Sequence, residues 1–274
     1  MRGAAPMLAL LLCLQVTTTA AQQRDHTHEV GDDIVEVLRL SGVGFLHQFI
    51  HWEAAALWGT GAGATAITFI GDEDERQLGI EHANLVGSGG EAVGDVGGLL
   101  LGVGIVNAGF YVAGRLSDNE RAIHFALELS AVQVIANLET LGISQLPLHE
   151  RPVEARGEVL REEQPFFNVI RGRSSFPSGH VIGPAALAIK SWQFYGWRLG
   201  LPTSLAAAFV GYARIQEGQH YVSDVIGSYA LTLVACWAVS SAANPFTLET
   251  AGGSLRVVPY AHGQGGGVRA VGWF

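Results

Sequence analysis

Ser174-Ser175-Phe176-Pro177-Ser178-Gly179-His180 opens an apolar stretch with the character of a helix. A serine at 178 is a good helix N-cap, which would leave the N–H groups of Gly179, His180 and Val181 as an anion site at the positive end of the helix. Gly179 lets a ligand approach the backbone closely, and His180 stands where a proton can be given to, or taken from, a bound group. Pro184 leaves two arrangements open: a helix kinked near His180, or a separate first turn with the helix restarting at Pro184.

A second segment begins 34 residues after His180: Arg214-Ile215-Gln216-Glu217-Gly218-Gln219-His220-Tyr221-Val222-Ser223-Asp224. The gap of four between His220 and Asp224 predicts both on one helix face, with the carboxylate holding an imidazole N–H. That sets the tautomer and leaves the other ring nitrogen basic, as a nucleophile requires. Arg214, across a Glu-Gly turn, is placed to fold back as a planar two-pronged anion clamp.

Around these segments the 274-residue chain is 49% hydrophobic and 15% charged, with a net charge of −9. So few charges argue against a disordered chain, and the negative balance argues against nucleic acid as a partner. Of the 16 basic residues 15 are arginine, and Lys190 is the only lysine. Arg2, the apolar run Met7–Val16 and the small residues ending Thr19-Ala20-Ala21 read as a signal peptide, so the mature protein is expected to be exported, and periplasmic or membrane-associated. With Cys13 removed, Cys236 is the only cysteine and no internal disulfide can form. The length fits one compact, mostly helical domain.

Residues 22–33 are polar and read as a loose arm, and 34–58 has helical periodicity. Gly71-Asp72-Glu73-Asp74-Glu75 reads as a solvated loop, and Ser117-Asp118-Asn119-Glu120 as a capping box ahead of a helix stopping at Gly142. The uncharged stretches, with Val225–Leu248 the longest of the late ones, admit two readings: a buried bundle, or membrane spans rich in small residues. Ser254–Tyr260 and Gly267–Phe274, flanking a glycine-rich loop, predict a β-hairpin packed on the helices. The expected division is therefore a signal peptide (1–21), a polar arm (22–33), a helical domain (34–250) and a hairpin extension (251–274).

Together the two segments resemble the second and third signatures of the type 2 phosphatidic acid phosphatase superfamily, which includes lipid phosphatases, bacterial class A acid phosphatases and vanadium-dependent haloperoxidases. Pro177–His180 matches its Pro-Ser-Gly-His. Arg214, His220 and Asp224 match its Ser-Arg, five residues, His, three residues, Asp, with Ala213 in the serine place. The first signature, a lysine, six residues and Arg-Pro, is matched at Arg151-Pro152, but Ser144 stands where the lysine belongs. The resemblance covers 144–230.

It implies an all-α helical bundle and a phosphatase, with a phosphomonoester or pyrophosphate as substrate and a phosphorylated lipid favoured over a small molecule. No metal or cofactor is implied. His220 would attack phosphorus to form a phosphohistidine, Asp224 would orient it, and His180 would protonate the leaving oxygen and later activate water. Arg151, Arg214, the Ser178 hydroxyl and the Gly179 N–H would hold the phosphoryl oxygens. Arg156, Arg171 or Arg173 could stand in for the absent lysine. Two alternatives follow from the departures: a weakened anion- or lipid-binding relative and, further off, a vanadate-dependent haloperoxidase. Oligomeric state is open.

Other residues have plainer readings. His26 and His28 lie in the polar arm, His47 and His51 share a predicted helix face without a zinc motif, and Gly87–Gly98 lacks the Lys-Ser/Thr of a nucleotide cradle. Trp192, Phe194, Tyr195 and Trp197 read as core or membrane-interface packing, with a lipid-binding lining as the alternative.

Overall fold

The computed structural model describes residues 30–72, 92, 100–152 and 174–243, and the backbone of strands at 246–250, 253–262 and 265–273. The stretch expected to be a signal peptide, His26, His28, most of Gly87–Gly98, and Arg156, Arg161, Arg171 and Arg173 lie outside these residues. The described helices are α1 (Val30–Ile50), α2 (Trp52–Phe69), α3 (Leu100–Leu116), α4 (Glu120–Ser144), α5 (Gly179–Tyr195), α6 (Trp197–Gln216) and α7 (Val222–Ala243).

Helix α7 is the centre of the bundle, packed by α1, α2, α4 and α5, while α3 lies on α4 and α6 on α5. The core draws Leu40 from α1, Phe125, Leu129 and Val132 from α4, Ile182 and Ala186 from α5, and Leu231, Ala235 and Val239 from α7. Each helix contributes an apolar face whose burial removes hydrocarbon from water. Small residues set the spacing: a methyl group added at Gly61 of α2 would lie 2.5 Å from the Ala230 Cβ of α7.

Lys190 is fully buried. Its Nζ donates to Glu128 Oε2 at 2.7 Å, Ser240 Oγ at 2.8 Å and the Cys236 carbonyl at 3.2 Å. The lone lysine thus ties α5 to α4 and α7, with its charge paired as burial demands.

Several boundaries differ from those expected. Helix α1 begins at Val30, inside the arm, because Asp32 and Asp33 suit the positive end of a helix and Asp33 accepts from Tyr111 Oη at 2.6 Å and from Arg115. The periodic stretch 34–58 is broken at His51, whose extended backbone (φ −106°, ψ 134°) separates α1 from α2. The cap of α4 is Asn119, whose side chain accepts from the Ala122 N–H at 3.2 Å. Ser117 Oγ instead donates to the Ala113 carbonyl behind it at 2.6 Å, so no capping box forms. The helix passes Gly142 and ends at Ser144. Pro184 sits inside a continuous α5, held by the buried neighbours Val181, Ile182, Ala185 and Ala186.

Helix α7 stops at Ala243, ahead of Pro245, which disfavours helix at the preceding residue. Strands β1 (Phe246–Thr250), β2 (Gly253–His262) and β3 (Gly265–Trp273) form an antiparallel sheet in that order. Residues 246–250 thus leave the helical domain to which their composition assigns them. Among the described residues, α4 and α7 are long and apolar enough to cross a membrane.

Gly227, in the second turn of α7, is where the backbone must come closest to the first segment. A Cβ there would stand 2.2 Å from Cε2 of Phe176. Gly227→Val is expected to destabilise the protein by about 1–3 kcal/mol, as overpacking does, and to displace the Phe176-Pro177-Ser178 turn. A melting curve with the unchanged midpoint would contradict this contact.

Candidate active site

The two segments meet where the N-terminus of α5 faces the turn between α6 and α7. Ser178 is the N-cap residue of α5, as its serine predicts, but its hydroxyl makes no capping bond and its buried Oγ has no hydrogen-bond partner among the described residues. Its backbone is pinned instead: Ser228 Oγ donates to the Ser178 carbonyl at 3.0 Å, and the Ser178 N–H to the Asp224 carbonyl at 3.4 Å. The Val181 N–H is spent on the Ser178 carbonyl at 3.2 Å. Of the three amides expected as an anion site, those of Gly179 and His180 are left at the open end of the helix. A methyl group at Gly179 would meet only Thr140 Cγ2, at 3.9 Å, so packing among the described residues does not demand glycine there.

His220 lies before α7, not on its face, because the helix begins at Val222. The four-residue spacing therefore acts as a turn. Asp224, in the first turn of the helix, reaches back to accept the Tyr221 N–H at 2.9 Å through Oδ2. His220 Nδ1 donates to the Ser175 carbonyl at 2.8 Å and stands 3.6 Å from Asp224 Oδ2. A carbonyl oxygen can only accept, so the proton sits on Nδ1 and Nε2 is the basic nitrogen. The Ser175 carbonyl, rather than Asp224, thus sets the tautomer, while Asp224 supplies a nearby negative charge.

Arg214 is 2% exposed at the end of α6 and donates to Glu217 Oε1 at 2.7 Å. Its carbonyl accepts the N–H groups of Gln219 (3.1 Å) and His220 (3.3 Å), so the same residue anchors the turn that presents the imidazole. Arg151 Nη1 donates to the Gln219 carbonyl at 3.3 Å from the other side. Both guanidinium charges act on both imidazoles. Burial first, then Arg214, His220 and Arg151, lowers the His180 pKa to about 3. Burial also lowers that of His220, against the pull of Asp224. Burial and the two guanidinium charges thus keep both histidines neutral.

Ser144, in the lysine's place, is buried at the end of α4. Its Oγ donates to the Leu141 carbonyl at 3.0 Å, and its carbonyl accepts the Ser174 N–H at 3.0 Å. It is a strut between helix α4 and the first segment.

Two residues escaped the sequence reading. His149 donates through Nδ1 to Asp224 Oδ1 at 3.0 Å, and its Nε2 lies 3.7 Å from Asp72 Oδ2. Asp72, expected in a solvated loop, is 5% exposed and accepts from Ser223 Oγ at 2.5 Å. The signal for His149 was its position between Ser144 and Arg151. Asp72 offered none, because its acidic neighbours read as a solvated run.

Acid should reveal the neutral histidines. His180 takes up a proton only near pH 3 when folded and near 6.5 when unfolded, so the unfolded chain binds more protons between these values and stability falls as pH drops through that window. Glu139, whose carboxyl burial pushes up to about 7, acts in the opposite sense, so the comparison must be between proteins. His180→Gln is expected to lose less melting temperature than wild type between pH 7 and 5. Equal losses would contradict a neutral, buried His180.

Residues 143–247 match the family model of the PAP2 superfamily, a segment containing Arg151, Ser178, Gly179, His180, Arg214, His220 and Asp224. The undecaprenyl-diphosphatase BcrC of Bacillus subtilis (strain 168) is 34% identical over 61 residues, covering 22% of this chain and spanning 31% of that relative's length. The crystal structure of a transmembrane PAP2 type phosphatidylglycerolphosphate phosphatase from Bacillus subtilis is similar at 16% identity and a TM-score of 0.35, covering 77% of this chain and 94% of the other. It is thus residues 143–247, carrying both segments from which the site is built, that are similar to the PAP2 superfamily.

Proposed function

We propose that the protein is an exported, membrane-associated phosphatase acting on a phosphomonoester or pyrophosphate, with a lipid phosphate favoured, through a phosphohistidine intermediate and without a metal. The observation that carries this reading is the facing of two neutral imidazoles under two guanidinium charges at a helix N-terminus. Such a pocket offers a phosphate dianion cationic and N–H donors already in place.

In this mechanism His220 Nε2 attacks phosphorus in line, the P–N bond forms and the bond to the leaving oxygen breaks. The bound dianion cancels the positive field, so His180 can take up the proton that it then gives to the leaving oxygen. His180 next removes a proton from water, whose oxygen attacks phosphorus as the P–N bond breaks, releasing inorganic phosphate and restoring His220. Arg151, Arg214, the Gly179 N–H and the unpartnered Ser178 hydroxyl hold the equatorial oxygens, and the space left at Gly179 suits a ligand.

A lipid is favoured by an apolar cavity of about 420 Å³ between α2 and α7, lined by Trp58, Ala62, Phe69, Phe176 and Ala230, which brings hydrocarbon-binding surface up to the first segment. Phe49, Ile67, Ile70, Ile105, Leu116 and Leu205 are exposed on the outer helices, as suits a bilayer-facing surface. The name of the curated relative, a diphosphatase of a polyprenyl lipid, points the same way.

The test is hydrolysis of p-nitrophenyl phosphate and phosphatidate. Turnover is expected to persist in EDTA and to be blocked by vanadate. Vanadate binding without turnover of either substrate would replace this reading with the anion- or lipid-binding relative, for which Ser144 in the lysine's place is the specific observation.

A further inference from the structure

Asp224 serves two histidines. Its Oδ2 takes the Tyr221 N–H and lies 3.6 Å from His220, while its Oδ1 accepts from His149 Nδ1 at 3.0 Å. His149 is gripped on every side. Its N–H donates to Ser174 Oγ at 3.1 Å and its carbonyl accepts the Ser175 N–H at 2.8 Å. Its ring lies between Tyr221 (centroids 4.3 Å, stacked) and Phe69 (4.6 Å, tilted). Asp72, tethered by Ser223, stands 3.7 Å from Nε2. A closed circuit results: the His149 carbonyl holds the Ser175 N–H, the Ser175 carbonyl holds His220 Nδ1–H, and Asp224 joins His220 back to the His149 ring.

We propose that His149 is a positioning residue for the reaction centre: its Nδ1–H holds the Oδ1 end of Asp224 and so sets how much of that carboxylate's charge reaches His220. The inference rests on the phosphohistidine reading. The charged and titratable groups facing His220 are Asp224 on α7, Arg214 on α6, His180 on α5 and Arg151 ahead of α5. Those facing His149 are Asp224 and Asp72, with Glu150 exposed beside it in the chain. With the donor in place, Oδ1 is satisfied and the carboxylate cannot swing. Without it, the unbalanced charge turns to His220, pulls Nδ1 off the Ser175 carbonyl and holds a proton on the nucleophile. Asp72 extends the circuit to the end of α2, so the wall of the apolar cavity and the nucleophile share one network through Phe69 and Asp72.

The experiment compares wild type, His149→Phe and His149→Gln in full-length protein. Phenylalanine keeps the ring between Phe69 and Tyr221 and removes the donor. Glutamine keeps a donor for Asp224. Two readouts are taken: the pH profile of kcat/KM for p-nitrophenyl phosphate, and the NMR titration of His220 in histidine-labelled protein. In His149→Phe the acid limb and the His220 titration are both expected to move up by about half a pH unit or more, with kcat down about tenfold and KM within about twofold. His149→Gln is expected to return most of both. An unmoved His220 titration in His149→Phe overturns the proposal, whether activity is kept or lost equally in the two variants. A wild-type protein without turnover removes the phosphatase reading instead, and the titration still decides whether His149 controls His220.

Discussion

His220→Ala is expected to lower turnover of p-nitrophenyl phosphate by about 10⁴-fold or more, since removing a covalent nucleophile abolishes the route rather than slowing it. The imidazole is positioned by a main-chain acceptor, Ser175, and by the Arg214 carbonyl on its own N–H, so its loss leaves the turn's other bonds intact. The variant should still fold and bind vanadate, which separates a chemical defect from a structural one. His180→Asn makes the complementary case. Nitrophenolate leaves readily without a proton, so the first half-reaction should survive and the second, which needs a base for water, should stall. A burst of one nitrophenolate per site, followed by slow release and a base-stable, acid-labile phosphoryl label, is the expected result. Wild-type turnover in His220→Ala would remove the nucleophile assignment, and a label that persists in that variant would place the covalent bond elsewhere.

The parts of the site written in contiguous sequence were legible, and those written across the fold were not. Pro177–His180 and Arg214–Asp224 each hold their chemistry within a dozen residues, so spacing alone brings the imidazoles, the guanidinium and the helix N-terminus into view. The error about Asp224 was one of local geometry: the spacing to His220 suits a helix face, but the helix starts two residues too late, and the carboxylate turns to Tyr221 and His149. His149 and Asp72 were invisible for a different reason. Their partners lie 75 and 151 residues away, and no local pattern distinguishes a buried aspartate at the head of an acidic run from its solvated neighbours. Lys190 shows the reverse. Its scarcity drew attention to phosphate binding, yet its environment is a three-helix pin far from that chemistry. The high apolar content left a buried bundle and membrane spans both open, and it was the resemblance that pointed to a helical bundle; the break at His51 has no glycine or proline to announce it.

Arg214→Ala is expected to show the largest combined loss of activity and stability. With a serine in the lysine's place, Arg151 and Arg214 are the cations that the described residues bring to the phosphoryl charge, so each is expected to carry much of it. Removing one such donor from a preorganised site costs about 10²–10³-fold in kcat. Arg214 is also 2% exposed and paired to Glu217 at 2.7 Å, so alanine takes a cationic partner from a carboxylate that is itself mostly buried. Breaking a pair of this kind costs about 3–5 kcal/mol of stability. Two further variants divide these effects. Arg214→Lys keeps the charge beside Glu217 but gives up the planar fork, so most of the stability should return and little of the turnover. Glu217→Gln keeps the guanidinium in place while releasing it from a competing carboxylate, so inorganic phosphate and vanadate should inhibit more tightly and kcat should change little. The outcome that would sink the clamp is Arg214→Lys at wild-type kcat/KM, which would leave Arg214 as a strut for the His220 turn. In that case Arg151, bonded to the other side of the same turn through Gln219, would be the guanidinium that meets the phosphate, and Arg151→Lys should then carry the whole loss.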